Sequence, residues 1–189
     1  MSLLSTARLR LEPINDSHLQ GLHALNRDPA VMRYITGKPD TLEDTQAMIE
    51  RVKARWIEYG FSWWSFIELE SEQLIGAGCI QYLGRDPANP LETGWRLRQD
   101  KWGRGYASEA AHSMAAFAFE TLNGASLCAV CHQDNSASAR VMQKLGMHYR
   151  GIERWYEMDT AVYDMTRAEW QARRIELCTK RPTTFFPDK

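Results

Sequence analysis

The chain has 189 residues, of which 44% are hydrophobic and 25% charged, and its formal net charge is −1. Those figures fit one domain with a buried core, and they argue against a broad surface for nucleic acid or anionic membrane, which needs a basic excess. No basic stretch followed by an apolar one opens the chain, no apolar run approaches the roughly 20 residues that span a bilayer, and four cysteines are too sparse for a disulfide framework, so a cytoplasmic protein with reduced thiols is expected.

Arg8–Pro13 alternates Leu9 and Leu11 with charged neighbours, the pattern of a half-buried strand. Asn15 or Asp16 can cap a helix running to about Leu25, with Leu19, Leu22 and Leu25 on one face, and a short helical turn follows Pro29. Thr41-Leu-Glu-Asp44 reads as a capping box with Asp in its last place. It opens a helix with apolar positions at Met48, Ile49, Val52, Trp56 and Tyr59, and Gly60 stands where a left-handed C-cap belongs. Trp63–Glu70 and Leu74–Tyr82 form a hairpin across Ser71-Glu72-Gln73, and Arg85–Pro90 is a turn-rich loop before a strand at Leu91–Arg98. Ala107–Leu122 is apolar nearly all round, which marks a central helix. A short strand at Leu127–Cys131, a helix at Asn135–Leu145 stopped by Gly146, and closing strands at His148–Trp155 and Ala161–Thr166 follow. A helix over Ala168–Leu177 and an irregular tail, Thr179–Lys189, end the chain. The order predicts a single α+β domain over residues 1–189, its core about 6–170, with a mixed sheet and helices on its faces.

The densest chemical signal is Trp102-Gly-Arg-Gly-Tyr-Ala-Ser-Glu109, between a strand and a helix. Gly103 and Gly105 allow positive φ and close approach of a ligand. The first N–H groups of the helix have no intrahelical partner and the helix dipole favours an anion, so the turn suits a phosphate or diphosphate. A tight turn with glycines for geometry alone has the same spelling. The turn lacks the Gly-Lys-Ser/Thr of a P-loop and the full pattern of a dinucleotide fold.

Glu92-Thr-Gly-Trp-Arg-Leu97, the turn Trp102–Ala107 and Asn135-Ser-Ala-Ser138 through Val141, Lys144, Gly146 and Met147 together resemble the GCN5-related N-acetyltransferase (GNAT) family, nearest to its branch acting on ribosomal-protein N-termini. The resemblance covers roughly Thr6 to Trp170 and includes Asp28-Pro29 and Arg33-Tyr34. It implies the acyl-CoA N-acyltransferase fold, a mostly antiparallel sheet splayed at its centre between Leu91–Arg98 and Leu127–Cys131, with acetyl-CoA as cosubstrate in the wedge. Trp102, Gly103, Arg104, Gly105, Tyr106 and Ala107 would hold the diphosphate, the backbone at Leu97 would pair with the pantetheine arm, and Asn135 would bond that arm or brace the wedge. The partner implied is a primary amine, on a protein N-terminus or a small molecule, attacking directly in a ternary complex. No metal is expected, since no second ligand pair stands at recognisable spacing, and a monomer or homodimer is expected. Many members carry a Tyr seven residues after the Asn as the acid for the departing thiolate; here that residue is Met142, which leaves Ser138, a water or no group for the task.

The amine must lose a proton before it attacks. Glu92, at the start of the strand bordering the wedge, is the first choice of base, and a strand-end Glu without a role is the plain alternative; His132, Asp134 and Glu153 follow. Tyr34, Trp63, Trp64, Trp155 and Tyr156 are candidates for an acceptor pocket or for packing. Two other functions fit parts of the chain. Cys128-Ala-Val-Cys131-His132 has the spacing of a c-type haem site, but a buried strand there would send the two thiols to opposite faces. A non-catalytic acyl-CoA sensor would share the fold.

Overall fold

Leu9 and Leu11 are fully buried, while Arg10 between them pairs with Glu12 and Glu72. This alternation builds the second strand of an eight-stranded sheet. The computed structural model describes residues 2–179, with side chains as far as Ile175, so the expected tail beyond Thr179 lies outside the described residues. The strands are β1 (Leu4–Ser5), β2 (Leu9–Pro13), β3 (Trp63–Glu68), β4 (Leu74–Tyr82), β5 (Leu91–Leu97), β6 (Ser126–His132), β7 (His148–Trp155) and β8 (Met158–Thr166), in the spatial order β1-β2-β3-β4-β5-β6-β8-β7. Every neighbouring pair is antiparallel except β5 with β6. That parallel pair meets at Leu91↔Leu127 and Glu92↔Cys128 and then parts, whereas β4 and β5 stay in register from Gly76↔Leu97 to Tyr82↔Leu91. The sheet is therefore splayed at its centre.

The helices are α1 (Leu19–Asn26), α2 (Pro29–Met32), α3 (Leu42–Tyr59), α4 (Tyr106–Ala116), α5 (Ser136–Leu145) and α6 (Arg167–Thr179). Local chemistry sets the ends of α3. The Thr41 hydroxyl accepts from Asp44 N–H at 3.1 Å, the Asp44 carboxylate accepts from Thr41 N–H at 3.0 Å, and Gly60 closes the helix at φ 77°. Ala110, Ala111, Met114 and Ala115 of α4 are fully buried, and α4 packs on β4 and β5. Gly78 of β4 makes this close contact possible, since a Cβ there would lie 2.5 Å from the Phe66 ring and 2.9 Å from Met114 Cε. Ile75, Ala77 and Cys79 alternate with it and are equally buried, so both faces of β4 are covered.

Several boundaries differ from the sequence pattern for physical reasons. β1 is two residues long and exists through its pairing with Leu11 and Arg10 rather than through any local alternation. A 3-10 turn, Asp16–His18, precedes α1 because the Asn15 side chain accepts from Ser17 N–H at 2.9 Å and His18 Nδ1 faces Asn15 N–H at 3.3 Å. The helix expected to continue to Leu122 leaves α geometry at Phe117, where a π turn to Thr121 brings Phe117, Ala118 and Phe119 all into the core.

Candidate active site

Where β5 leaves β6, a cleft of about 630 Å³ opens. Trp95, Arg96 and Leu97 form one wall, the turn at Trp102 and the start of α4 another, Asp134–Ser138 a third, and Tyr34 and Ile35 close it from the segment after α2. The hydrogen bond from Arg98 N–H to Ile75 C=O (2.8 Å), in the register that pairs Ala77 with Arg96, defines which peptide groups of β5 face β4. By alternation, Trp95 and Leu97 turn their backbone groups the other way, toward the gap that β6 has left. The Trp102 indole N–H takes Leu97 C=O at 2.8 Å, so the rest of this short ladder edge is offered to the cleft.

Two helix starts line the same space. At α5 the Asn135 side chain accepts from Ser138 N–H at 3.1 Å. At α4 the N-cap is Gly105, left-handed at φ 83°, and no side chain caps the helix. Its first-turn amides are thus available to an anion. Arg33, Lys101, Arg140 and Lys144 also border the cleft, with Asp134 as the acidic neighbour.

The turn is anchored from beneath. Glu68, at the end of β3 and only 3% exposed, accepts from Lys101 Nζ at 2.7 and 2.8 Å, from the Tyr106 hydroxyl at 2.6 Å and from Ser71. One carboxylate therefore grips the chain on both sides of the glycines. The Lys101 ammonium, followed by the Ser71 and Tyr106 hydroxyls, holds its pKa down at about 2. A second anchor is Glu109, which accepts from Arg8 N–H at 2.8 Å, Arg8 Nε at 2.7 Å and the Thr6 hydroxyl at 2.6 Å; Arg8 also donates to Arg104 C=O at 3.0 Å.

Leu97, Trp102, Gly103, Gly105, Tyr106, Ala107, Asn135 and Ser138 all border the one cleft, whereas Arg104 and Glu92 are not part of its lining. Glu92 is 5% exposed and accepts from Gln81 Nε2 at 2.9 Å and from the Tyr156 hydroxyl. The Tyr156 oxygen in turn accepts from Gly84 N–H at 3.1 Å, and Trp63 Nε1 donates to Gln81 Oε1 at 3.2 Å. Burial pushes the Glu92 carboxyl above the ordinary carboxylate range, against the pull of Gln81 and Tyr156. Burial, then the Glu92 charge, pushes the Tyr156 phenol up.

Of the aromatic candidates, Tyr34 borders the cleft and stacks on His132 at 5.2 Å. Trp64 is fully buried and donates to Ser2 C=O, so it is core and lines no pocket. The Trp155 indole N–H goes to Glu153 at 2.8 Å. Met142, in the place of the family's Tyr, is 2% exposed and belongs to the core. Cys128 and Cys131 leave β6 on opposite faces, and burial raises both thiols, Cys131 to about 11. Sequence reasoning missed Gln81, Glu68 and Arg96. Glu68 had a signal, a lone acid in the apolar run Trp63–Leu69; Gln81 had none, because its partners come from two other strands and a turn.

The family profile of the acetyltransferase (GNAT) domain matches residues 8–148 of this chain. The chain belongs to the GNAT acetyltransferase family. It is 30% identical to the uncharacterised protein YkkB of Bacillus subtilis (strain 168), over 85% of this chain and 94% of that one. It is 28% identical to the FsC-acetyl coenzyme A-N(2)-transacetylase of Aspergillus fumigatus, over 97% of this chain and 83% of that one. The solved structure of RimL, a ribosomal L7/L12 alpha-N-protein acetyltransferase in complex with coenzyme A, shares the fold at a TM-score of 0.73 and 16% identity, covering 87% of this chain and 98% of that one. Among the described residues of this acetyltransferase, no helix is long and apolar enough to cross a membrane, and no group of three or more His, Cys, Asp or Glu is placed to hold a metal ion.

Proposed function

We propose that this acetyltransferase moves an acetyl group from acetyl-CoA to a primary amine, by direct attack in a ternary complex. The observation that carries the reading is the pairing, in one cleft, of an uncapped helix start at Gly105 with a ladder edge at Trp95 and Leu97 that β6 leaves open, the Leu97 C=O aside, which Trp102 holds. Acetyl-CoA fits both. Its diphosphate caps α4, among Trp102, Gly103, Gly105, Tyr106 and Ala107, with Arg104 contributing its backbone to the turn. The amides of its pantetheine arm extend β5 at Leu97 as an added strand. Asn135 holds the opposite wall through its cap on α5.

Glu92 is the base. Since its carboxyl is covered by Tyr156, the amine's proton passes to the Tyr156 oxygen as the Tyr156 proton passes to Glu92. The raised pKa of Glu92 suits the task, because a base works best when its pKa approaches the working pH. The neutral amine attacks the thioester carbon and the C–S bond breaks. A β5 N–H near Leu97 stabilises the developing oxyanion, and the Ser138 hydroxyl, which borders the cleft, hydrogen-bonds the departing thiolate. The acceptor is a peptide N-terminus or a small amine: RimL is named for the former and the Aspergillus relative for N(2) of FsC. The test is acceptor-dependent release of free coenzyme A thiol, with acetylated products identified by mass spectrometry. Coenzyme A binding in calorimetry with no thiol released from any amine would replace this reading with that of an acyl-CoA sensor.

A further inference from the structure

Among the described residues, Arg96 is a cation with a buried guanidinium nitrogen left unbonded. Strand alternation puts Glu92, Gly94 and Arg96 on one face of β5. Arg96 borders the cleft, yet its Nε is sealed from solvent and bonded to nothing, and no carboxylate among the described residues comes within ion-pair distance of it. Its guanidinium lies 4.7 Å from the centroid of the Trp63 ring. Asp40, from further away, is the main group favouring its charge. Burial outweighs that help and lowers its pKa to about 10. A cation kept in such a place without a partner costs stability, and a ligand that brings the missing anion removes the cost.

The geometry relates this cation to the proposed base. Trp63, beneath Arg96, donates to Gln81, and Gln81 donates to Glu92. Between the two, Gly94 leaves the strand bare: a Cβ there would meet only Cys79 Sγ, at 3.6 Å. Four residues of strand set Glu92 and Arg96 about 13 Å apart at their Cα atoms, on one face of β5. That face carries the proposed relay of Glu92 and Tyr156 at one end and an unpaired, forked donor at the other, the form that matches a carboxylate.

We propose that Arg96 is a specificity-determining residue that binds a carboxylate on the amine acceptor, so that the enzyme selects amines carrying an acid group a few bonds from the amino nitrogen. The inference rests on the acetyltransfer reading above. The carboxylate has two sources, a free amino acid or an acidic residue near a peptide N-terminus.

Acceptors matched except for the acid distinguish them. One arm compares α- and ω-amino acids of three to six carbons with their carboxamides. The other compares N-terminally free tripeptide amides bearing Asp or Glu with those bearing Asn or Gln at the second or third position. In one arm the acid is expected to exceed its amide in kcat/KM by about 10- to 100-fold. Arg96→Met should bring the acid-to-amide ratio of kcat/KM to about one, with Tm equal to or above the parent's. Arg96→Lys, which keeps the charge and loses the fork, should retain part of the preference. Equal rates for acid and amide in both arms, or a preference that survives in Arg96→Met, overturn the proposal while acetyl transfer stands. A fall in Tm in Arg96→Met with the preference intact assigns Arg96 to the fold alone and also overturns it. No acetylated product in either arm overturns the proposal, and only the further absence of coenzyme A thiol release with every other amine sinks the acetyltransfer reading as well.

Discussion

Helices α4 and α5 start at the same cleft and start differently. α5 has its own cap: Asn135 accepts from Ser138 N–H, and Ser136 N–H donates to Asp134 C=O. α4 begins at a left-handed glycine with no side-chain acceptor, so its amides await a partner from outside. The rigidity that α5 draws from its cap, α4 draws from below, where Glu68 binds Lys101 and Tyr106 and Glu109 binds Arg8 and Thr6. A helix start can therefore be firmly placed and still chemically open, provided the groups that place it bind its flanks rather than its amides. That combination is what an anion site preorganised for a diphosphate needs.

The comparison is broken most severely by Gly105→Glu. The new carboxylate would stand where the diphosphate is placed, on a residue at φ 83° whose Cβ lies 3.4 Å from Arg8 Nη2. Coenzyme A binding should vanish in calorimetry, with a stability loss of only about 1 kcal/mol for the left-handed backbone. Undiminished affinity would remove the diphosphate from α4. Glu92→Gln, away from both helix starts, should leave coenzyme A affinity intact and lower turnover by about 100-fold or more. In the parent enzyme activity should rise with pH through a pKa above the usual 4.5, as Glu92 loses its proton, and this limb should disappear in the variant. The same raised pKa favours the folded protein at low pH, an advantage complete below 4.5 and lost as pH climbs through the folded value.

Glu68→Gln tests the support rather than the site. It strands the Lys101 ammonium, whose side chain is 14% exposed, and should cost about 3 kcal/mol, a fall of roughly 10 °C in Tm. Coenzyme A should bind more weakly without being lost. Because the Glu68 pKa is lowered to about 2, its contribution is present above 4.5 and disappears as pH falls toward 2. The variant and parent should accordingly converge in stability across that interval in acid denaturation. The smallest effect belongs to the closed start: Asn135→Ala should cost about 1 kcal/mol of stability. If coenzyme A affinity also falls tenfold, Asn135 contacts the arm as well as the helix.

Features written in short stretches of sequence were legible. Thr41, Asp44 and Gly60 delimit α3 through bonds to residues within a turn, and Leu9 with Leu11 announces β2. The glycines at 103 and 105 mark a turn that suits close approach of a ligand, and the order of motifs along the chain resembles the family's. Features made by distant partners were not legible. Tyr156 reaches Glu92 across 64 residues, Tyr106 reaches Glu68 across 38, and Trp64 is drawn into the core although its neighbour Trp63 is half-buried.

The sequence by itself determined the local units: which segments alternate, where helices are capped, and which turn has amides to spare. Only the tertiary structure decided that Glu92 lies buried beneath a phenol and that Arg96, among the described residues, has no carboxylate within ion-pair distance. The division follows from the physics. Backbone geometry and capping are settled among neighbours in the chain, whereas burial, pKa and charge pairing depend on which remote groups are packed against a side chain.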